Sequence, residues 1–468
     1  MPVSISHRPL MILGCTSGAG KSLLVTALAR WFARRGVDVV PYKAQNMSNN
    51  ARVVAGGEIG VAQWLQARAA GVEPSVDMNP VLLKPEADTR SQVVVAGKVR
   101  HDLTETPWRE RGPHLWPFME ASLHRLLDDH ELVLIEGAGS PAEINLPDLV
   151  NNRVVEAADA SALLVADIDR GGAFAHVYGT WSLVPETTRR RLAGYVLNRF
   201  RGDAGLLGPG PEQLTAMTSL PLVGVVPMVA HHLPDEEGGT IRDIGPRDGL
   251  RVAVVRFPFG SNIDEFHLLP AAARVRWASE PADLDGVDLV ILPGSKHVAA
   301  DIGWLRRRGM ADRIVSLADS GTRVLGVCGG AMMLGEQIQD PGGIEGSARG
   351  LGLLPLTTEM VPDKVTSAVT MQMSGLADPW SPLNGLMLAG YEIRHGHVTG
   401  ESCQVAPALW ARGSVMATTV HGLFEDPLTV EALTGVRPEP VLESTFELLA
   451  DLVEEHLDTA LLENLTGF

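Results

Sequence analysis

The chain has 468 residues, of which 45% are hydrophobic and 20% charged, and it carries a formal net charge of -17. This length allows two domains with hydrophobic cores of ordinary size. The acidic balance argues against a nucleic-acid partner, because phosphate neutralisation requires clustered Lys and Arg, and no apolar run is long enough to predict a membrane span. The three cysteines lie far apart without metal-ligand spacing, so we expect free thiols in a reducing cytoplasm and no zinc site.

The first half of the chain alternates apolar runs with longer helical stretches. Buried parallel strands are predicted at 10–13, 37–43, 132–136, 162–167, 194–198 and 222–226. This alternation is typical of an α/β fold, in which helices cover both faces of a doubly wound parallel sheet. We assign residues 1–230 to this domain.

A glycine-rich run follows the first predicted strand and leads into the first predicted helix. In this context the backbone N–H groups and the helix dipole hold phosphate oxygens, Lys21 reaches the outer phosphates and the Ser22 hydroxyl meets a magnesium ion. The usual first glycine position holds Cys15, and the glycine lies one residue earlier at Gly14. We therefore predict an ATP-binding loop made by Thr16, Ser17, Gly18, Ala19, Gly20, Lys21 and Ser22.

A magnesium ion would need a further carboxylate at the end of a neighbouring strand. Glu136 ends one predicted strand and is followed by glycines, while Asp167 and Asp169 come at the end of the next. Helix capping is the alternative role for each of these carboxylates. We predict metal ligands at Ser22, Glu136 and Asp169.

The alternating pattern stops between the two halves and then resumes. Residues 231–249 are polar and rich in Gly and Pro, which predicts a linker. We assign 250–435 to a second α/β domain and 436–468, which has helical periodicity, to a C-terminal helical tail. Strands of the second domain are predicted at 252–256, 289–292, 324–327, 390–393 and 415–420.

Cys328 follows an apolar strand, precedes a predicted helix and is surrounded by glycines. A strained turn of this kind projects a nucleophile, directs the N–H of Gly329 at a developing oxyanion and favours the thiolate at the helix N-terminus. Gly294, in a glycine turn after another strand, is the predicted second oxyanion donor. A thiolate needs a base, and His421 stands at the end of the last predicted strand.

The phosphate loop resembles that of dethiobiotin synthetase and its amidating relatives, and the cysteine turn with His421 resembles class I glutamine amidotransferases. The resemblance implies two doubly wound α/β domains, a P-loop NTPase-like parallel sheet followed by an amidotransferase-like sheet. Many class I enzymes carry a glutamate two residues after the histidine, where Leu423 stands here. We therefore predict a Cys328–His421 dyad.

Further segments, in their order along the chain, are similar to the cobyric acid synthase family. They are 42–47 (YKAQNM), 58–63 (EIGVAQ), 78–85 (MNPVLLKP), 136–146 (EGAGSPAEINL), 167–172 (DIDRGG) and 198–203 (NRFRGD). Two positions depart from the family: Arg394 stands where a histidine is usual, with His395 one place on, and Gly238 replaces a serine.

These segments place polar side chains at the ends of apolar strands, which suits a large substrate decorated with amides and carboxylates. Amides can bond carboxamides, and cationic groups can meet carboxylates or phosphates. Capping of loops is the alternative for each residue. The predicted substrate-binding residues are Lys43, Gln45, Asn46, Asn79, Lys84, Asn145 and Arg170.

The family resemblance implies a reaction that uses ATP, Mg²⁺ and L-glutamine on a corrinoid small molecule. It implies that (adenosyl)cobyrinic acid a,c-diamide gains amides at side chains b, d, e and g, to give cobyric acid in cobalamin biosynthesis. Each carboxylate would become an acyl phosphate, while Cys328 would form a glutamyl thioester and release ammonia. Ammonia would cross between the domains by a protected passage whose walls the sequence does not identify.

Three alternatives stay open at this point. A cobyrinic acid a,c-diamide synthase has the same two domain types, although segments 45–47 and 78–85 favour the cobyric acid enzyme. A partition-type ATPase switch shares the phosphate loop with the displaced first glycine, but such a switch generally has another lysine early in the loop and has no cysteine turn. A scaffold with an inactive amidotransferase domain would lack glutaminase activity. The sequence also leaves open whether the chain forms a homo-oligomer.

Overall fold

The computed structural model describes residues 7–87, 90–145, 148–234, 245–246 and 248–468. The strands of the N-terminal domain are β1 (Leu10–Gly14), β2 (Val39–Tyr42), β3 (Gln45–Met47), β4 (Ala51–Val54), β5 (Gly57–Gly60), β6 (Val81–Ala87), β7 (Arg90–Val95), β8 (Lys98–Val99), β9 (Leu132–Glu136), β10 (Ser161–Asp167), β11 (Leu192–Phe200) and β12 (Leu222–Pro227). Its helices are α1 (Lys21–Arg34), α2 (Val61–Ala70), α3 (His101–Glu105), α4 (Trp108–Asp129), α5 (Asn152–Ala157), α6 (Ala173–Leu183), α7 (Glu186–Arg189) and α8 (Gly210–Thr218).

A parallel sheet with the order β12-β11-β10-β1-β9-β2 forms the centre of this domain. Hydrophobic clusters cover both faces of this sheet, so both sides of its strands are buried and their sequences are apolar. Every residue of β1 is buried. The predicted α/β class and the predicted parallel strands are confirmed. The carboxyl ends of β1, β9 and β10 lie together, which brings the phosphate loop close to the segments that follow Glu136 and Asp167.

Two smaller elements flank this sheet on the side of the second domain. A mixed sheet has the order β3-β6-β7-β8, and β4 pairs with β5 as an antiparallel hairpin. The hairpin contacts the second domain, because the backbone N–H of Ala51 donates to Asn262 Oδ1 at 3.0 Å.

The second domain is also built on a largely parallel sheet. Its strands are β13 (Leu250–Val255), β14 (Gly260–Ser261), β15 (Ala273–Ala278), β16 (Leu289–Leu292), β17 (Gly294–Ser295), β18 (Arg323–Val327), β19 (Gln337–Gln339), β20 (Ala348–Arg349), β21 (Thr357–Gln372), β22 (Met387–Thr399), β23 (Gln404–Ala406), β24 (Leu409–Arg412) and β25 (Val415–Thr418). Its helices are α9 (Leu269–Ala272), α10 (Val298–Arg307), α11 (Met310–Asp319), α12 (Gly329–Leu334) and α13 (Pro427–Thr434).

The central sheet of this domain has the order β15-β13-β16-β18-β25-β24-β23, with β24 and β23 antiparallel at one edge. The strand predicted at 390–393 forms, but it belongs to β22 in a separate sheet and pairs with β21. The prediction of a central strand at 390–393 arose because β22 is buried where it pairs with His421, and a buried strand of either sheet has a similar sequence.

The C-terminal tail forms α14 (Leu442–His456) and α15 (Thr459–Thr466) and packs on the N-terminal domain. Phe446 and Leu449 of α14 share a hydrophobic cluster with Leu28 of α1. The tail therefore adds a layer to the first domain rather than to the second. Of the predicted linker 231–249, residues 235–244 and 247 lie outside the described residues. Within the described ranges, no helix is long and apolar enough to cross a membrane.

Candidate active site

The predicted phosphate loop lies between β1 and α1. Gly18 and Gly20 have φ values of 68° and 99°, a backbone conformation that favours glycine. Asn198, on β11, donates from Nδ2 to Ala19 O at 2.9 Å, and a Cβ on Gly20 would lie 1.9 Å from that nitrogen. The loop shape therefore depends on close approach of the carboxyl end of β11, and the glycine-rich motif alone gave no indication of this contact with Asn198.

Lys21 and Ser22, at the start of α1, point toward the loop that follows β9. Lys21 is 7% exposed and donates from Nζ to Gly139 O at 3.1 Å. The Ser22 hydroxyl donates to Glu136 Oε1 at 2.8 Å, and Lys43 Nζ lies 2.7 Å from the same oxygen. The structure thus brings together the serine and glutamate that the sequence predicts as metal ligands.

Glu136 is a buried, ionised carboxylate. Burial alone would raise its pKa, but Lys43 and the amide of Gln66 hold the pKa below the ordinary value. Gln66 donates from Nε2 to Glu136 Oε2 at 2.5 Å. Gln66 was not a predicted site residue, and no local signal marked it, because it lies inside α2.

The serine–glutamate pair fits a magnesium ion. Mg²⁺ is usually held by one or two carboxylates together with phosphates and waters, so it does not need a site built from protein ligands alone. Among the described residues, no group of three or more His, Cys, Asp and Glu could form such a site. The predicted ligand Asp169 is placed differently. Its Oδ1 lies 2.9 Å from Arg201 Nε, and within the described part of the chain it does not line the cavity beside Ser22 and Glu136. The third predicted ligand is therefore not brought to the other two.

A cavity of about 830 Å³ opens beside the phosphate loop. Lys43, Gln45, Asn46 and Arg170 line it, as the sequence predicts for substrate-binding residues. Its wall also includes Trp108 from α4. The volume is in the range of pockets that bind small molecules.

Three other predicted substrate residues lie away from this cavity. Asn79 is buried and structural, since it accepts from Gly60 N at 3.0 Å and donates to Val81 O at 2.9 Å. Lys84 pairs with Glu58 at the domain interface. Asn145 is exposed on the loop after β9 and, among the described residues, is not part of the cavity wall. A polar residue near a strand end does not reveal which side of the chain it faces, and the structure does not bring these three side chains to the cavity.

Cys328 occupies the strained turn that the sequence predicts between β18 and α12. Its φ and ψ are 50° and -106°, and it is 4% exposed. The turn is crowded, because a Cβ on Gly329 would lie 2.7 Å from Ser295 N. A Cβ on Gly294 would lie 2.9 Å from His421 Cε1. The structure therefore gathers the predicted nucleophile, base and both oxyanion glycines into one site.

His421 has a carboxylate partner, so the prediction of a Cys–His dyad was wrong. Its Nδ1 lies 2.9 Å from Glu265 Oε1, and Glu265 Oε2 accepts from Gly422 N at 2.9 Å. Glu265 is fully buried and lies on the 3-10 turn Ile263–Leu268. An ionised carboxylate only accepts hydrogen bonds, so Nδ1 carries the proton.

The charge on His421 depends on its neighbours. Burial would lower the pKa of the imidazole, but the Cys328 thiolate and the Glu265 carboxylate raise it to about 10. Nε2 makes no hydrogen bond of regular geometry to any described residue, although Cys328 is close enough to act on the ring. This arrangement favours the imidazolium form of His421, with Nε2 available to a substrate.

Both domains line the small cavity next to Cys328, which has a volume of about 30 Å³. Asn49 and Lys84 come from the first domain, and Arg394 comes from the second. Lys364 of β21 pairs with Glu58 of β5, and Lys296 Nζ lies 2.8 Å from Glu86 Oε1. Burial lowers the pKa of Lys364 to about 7 and the charge of Glu58 opposes that change. The sequence has only six lysines against a large excess of arginine, and this scarcity was the available signal for these interdomain pairs.

Two family matches divide the chain in the same way as the structure. Residues 10–237 match the CobQ/CobB/MinD/ParA nucleotide binding domain, and residues 251–428 match the CobB/CobQ-like glutamine amidotransferase domain.

Curated relatives match over almost the full length. A cobyric acid synthase of Variovorax paradoxus (strain S110) is 50% identical, covering 98% of this chain and 100% of the relative. One of Methylibium petroleiphilum (strain ATCC BAA-1232 / LMG 22953 / PM1) is 50% identical over 98% of this chain and 96% of the relative. One of Polaromonas sp. (strain JS666 / ATCC BAA-500) is 47% identical over 98% of each.

Proposed function

The chain belongs to the cobyric acid synthase family and is a glutamine-hydrolysing ligase of cobalamin biosynthesis, and on that premise we propose which residues perform each step. The substrate is (adenosyl)cobyrinic acid a,c-diamide, amidated at side chains b, d, e and g with one ATP and one glutamine for each amide. The observation that carries the proposal is the presence, in one chain, of a phosphate loop beside a large cavity and a Cys–His–Glu site at the domain interface.

Glutamine is hydrolysed at Cys328. Its sulfur attacks the side-chain carbonyl carbon, so a C–S bond forms while the C–N bond breaks, and His421 gives its Nε2 proton to the departing ammonia. The N–H of Gly329 and the turn at Gly294 stabilise the oxyanion. Glu265 holds the other ring nitrogen and keeps the imidazole oriented. Water then releases glutamate from the thioester, with His421 as base.

The substrate carboxylate is activated at the phosphate loop. A carboxylate oxygen attacks the terminal phosphorus of ATP, ADP leaves, and an acyl phosphate results, from which ammonia later expels phosphate. Lys21 stabilises charge on the outer phosphates, and Ser22 with Glu136 would hold Mg²⁺, which supplies further positive charge there. Lys43 lines the cavity together with Glu136, and its ammonium group also meets the substrate carboxylate.

The corrin ring binds in the cavity of about 830 Å³. Met47 and Trp108 line this cavity and are 56% and 46% exposed, so they offer apolar surface to the ring. Gln45, Asn46 and Arg170 present amide and cationic groups to the ring's side chains. The three cysteines are free and buried, which supports the reducing cytoplasm as the compartment.

Product mass tests this proposal. The protein is incubated with the a,c-diamide, ATP, Mg²⁺ and glutamine labelled with ¹⁵N at the amide, and four labelled amides are expected in each product molecule. A cobyrinic acid a,c-diamide synthase would leave this substrate unchanged and label cobyrinic acid twice. ATP hydrolysis without any amidation would point to a partition-type switch. Amidation with ammonia but not with glutamine would point to an inactive amidotransferase domain.

A further inference from the structure

A cation from the N-terminal domain lies buried behind the glutaminase site. β4 carries Arg52, which is 4% exposed, into the second domain. Its Nη2 donates to Glu425 Oε1 at 2.6 Å and also to Asp264 Oδ2. Burial would lower the pKa of Arg52, but the two carboxylates raise it well above its ordinary value, so the guanidinium is charged.

The segment around Arg52 is held against the second domain by uncharged contacts as well. Ala51 N donates to Asn262 Oδ1 at 3.0 Å, and Ile263 N donates to Asn50 Oδ1 at 3.2 Å. Asp264 and Glu265 stand two and three positions after Asn262 in the chain. The same short interface therefore contains both the arginine and the carboxylate that contacts His421, while the charge of the arginine is absent from the two uncharged contacts.

The carboxylates around Arg52 form an acid cluster, defined as Asp264, Glu265 and Glu425. Burial raises the pKa of Glu425 to about 7, the charge of Arg52 opposes that rise, and Asp264 and Glu265 add to it. Like charges in a poorly solvated site do not all stay ionised without a cation. The guanidinium of Arg52 is in hydrogen-bond contact with two members of this cluster, Asp264 and Glu425.

Arg52 also contacts the aromatic side chain that packs on the catalytic imidazole. Its Cζ lies 5.1 Å from the ring centroid of Tyr391, and the rings of Tyr391 and His421 stack with centroids 5.3 Å apart and an interplanar angle of 19°. The same two residues exchange backbone hydrogen bonds of 3.2 and 2.8 Å. Arg52 thus touches both the acid cluster and the ring that fix the orientation of His421.

We propose that Arg52 is a positioning residue of the glutaminase site, supplied by the ATP-binding domain. It compensates the charge of the acid cluster, so that Glu265 holds Nδ1 of His421 and Nε2 stays directed at the glutaminase reaction. The glutaminase site is therefore complete only when the two domains are docked. This inference rests on the proposed role of Cys328 and His421.

The test compares Arg52→Gln with Arg52→Lys, measuring both glutamate release and amidation driven by high ammonia. We expect Arg52→Gln to lower kcat for glutamate release about 10- to 100-fold, with KM for glutamine nearly unchanged and ammonia-driven amidation within about twofold of wild type. Arg52→Lys keeps the charge and restores most of the rate. The Arg52→Gln/Glu425→Gln double variant should have a higher kcat for glutamate release than Arg52→Gln, because it carries one uncompensated carboxylate fewer.

Asn50→Ala is the matched control, since it removes an uncharged contact of the same interface and should change kcat little. The inference is overturned if Arg52→Gln keeps the wild-type kcat, if both activities fall equally, or if Asn50→Ala gives the same loss. Should Arg52→Gln fail to fold, the double variant is compared with Glu425→Gln, and equal kcat values overturn the inference. Absence of glutamate release from wild type would instead reject the proposed function.

Discussion

His421 Nδ1 and Glu265 Oε1 are 2.9 Å apart although 156 residues separate them in the chain. Leu423 occupies the position at which many class I amidotransferases carry their glutamate, and here it is a buried apolar residue. The 3-10 turn after β14 supplies the carboxylate instead. A carboxylate therefore contacts the histidine here too, although it comes from a different place in the sequence.

Replacing Glu265 should alter the pH dependence of glutamine hydrolysis. Glu265 and the Cys328 thiolate raise the pKa of His421 to about 10 against the opposing effect of burial. In Glu265→Gln one of the two charges that favour the imidazolium is lost, so its pKa falls. Since the imidazolium protonates the departing ammonia, the alkaline limb of the kcat profile moves to lower pH, by about one unit or more.

The measurement is glutamate release between neutral and alkaline pH, with ammonia-driven amidation as the control for folding. That second activity should keep the wild-type profile, because it does not use the thiol. An alkaline limb that stays where it is in wild type would show that Glu265 does not act on the charge of His421.

Individual site residues could be predicted from the sequence where their immediate neighbours in the chain indicate their role. Lys21 and Ser22 follow a glycine loop, and Cys328 lies in a glycine turn, so neighbouring residues identify them. Glu265 and Arg52 act through contacts made only after folding. No spacing rule marks such residues.

At the scale of elements, α14 connects the end of the chain with the first helix. Phe446 and Leu449 are fully buried in the cluster that contains Leu28. Ion pairs such as Arg30–Glu447 surround this contact, but their side chains are 21% and 46% exposed. Exposed pairs contribute little to stability, so apolar burial holds the tail in place.

Removing the α14 contact should destabilise the ATP-binding domain. Phe446→Ala is expected to lower its free energy of unfolding by about 3–5 kcal/mol, because a fully buried ring leaves a cavity against α1. Hydrogen exchange of amides in β1 and α1 measures the effect. Leu448→Ala, on the same helix but 41% exposed, is the control and should change little. Equal protection in both variants would show that the tail does not stabilise this domain.

Periodicity predicted these elements well but not their partners. The parallel strands of both central sheets are continuous apolar runs, which distinguishes them from their surroundings. The tail was predicted as helical, yet nothing in its sequence indicates that it packs on α1. The strand at 390–393 was recognised, but its pairing with β21 rather than with a central strand depends on tertiary contacts.

At the scale of the whole molecule, the interface joins two sites with different chemistry. The hairpin β4–β5 carries Arg52 to the acid cluster and Glu58 to Lys364, and α2, which follows it, carries Gln66 to Glu136. One continuous stretch of the first domain therefore contacts groups of both sites. The interdomain lysine pairs lie beside the cavity of Cys328, where we propose that ammonia is released.

We propose that the thiol site and the phosphate loop perform separate chemistries, and substitutions that remove one site at a time distinguish them. Amidated product is measured for Cys328→Ala and Lys21→Ala, each with glutamine and each with high ammonia as the nitrogen source. We expect Cys328→Ala to lose glutamine-driven product and keep ammonia-driven product, and Lys21→Ala to lose both, because carboxylate activation precedes nitrogen attack. Equal loss of both activities in Cys328→Ala, or ammonia-driven product retained by Lys21→Ala, would contradict the separation of the two sites.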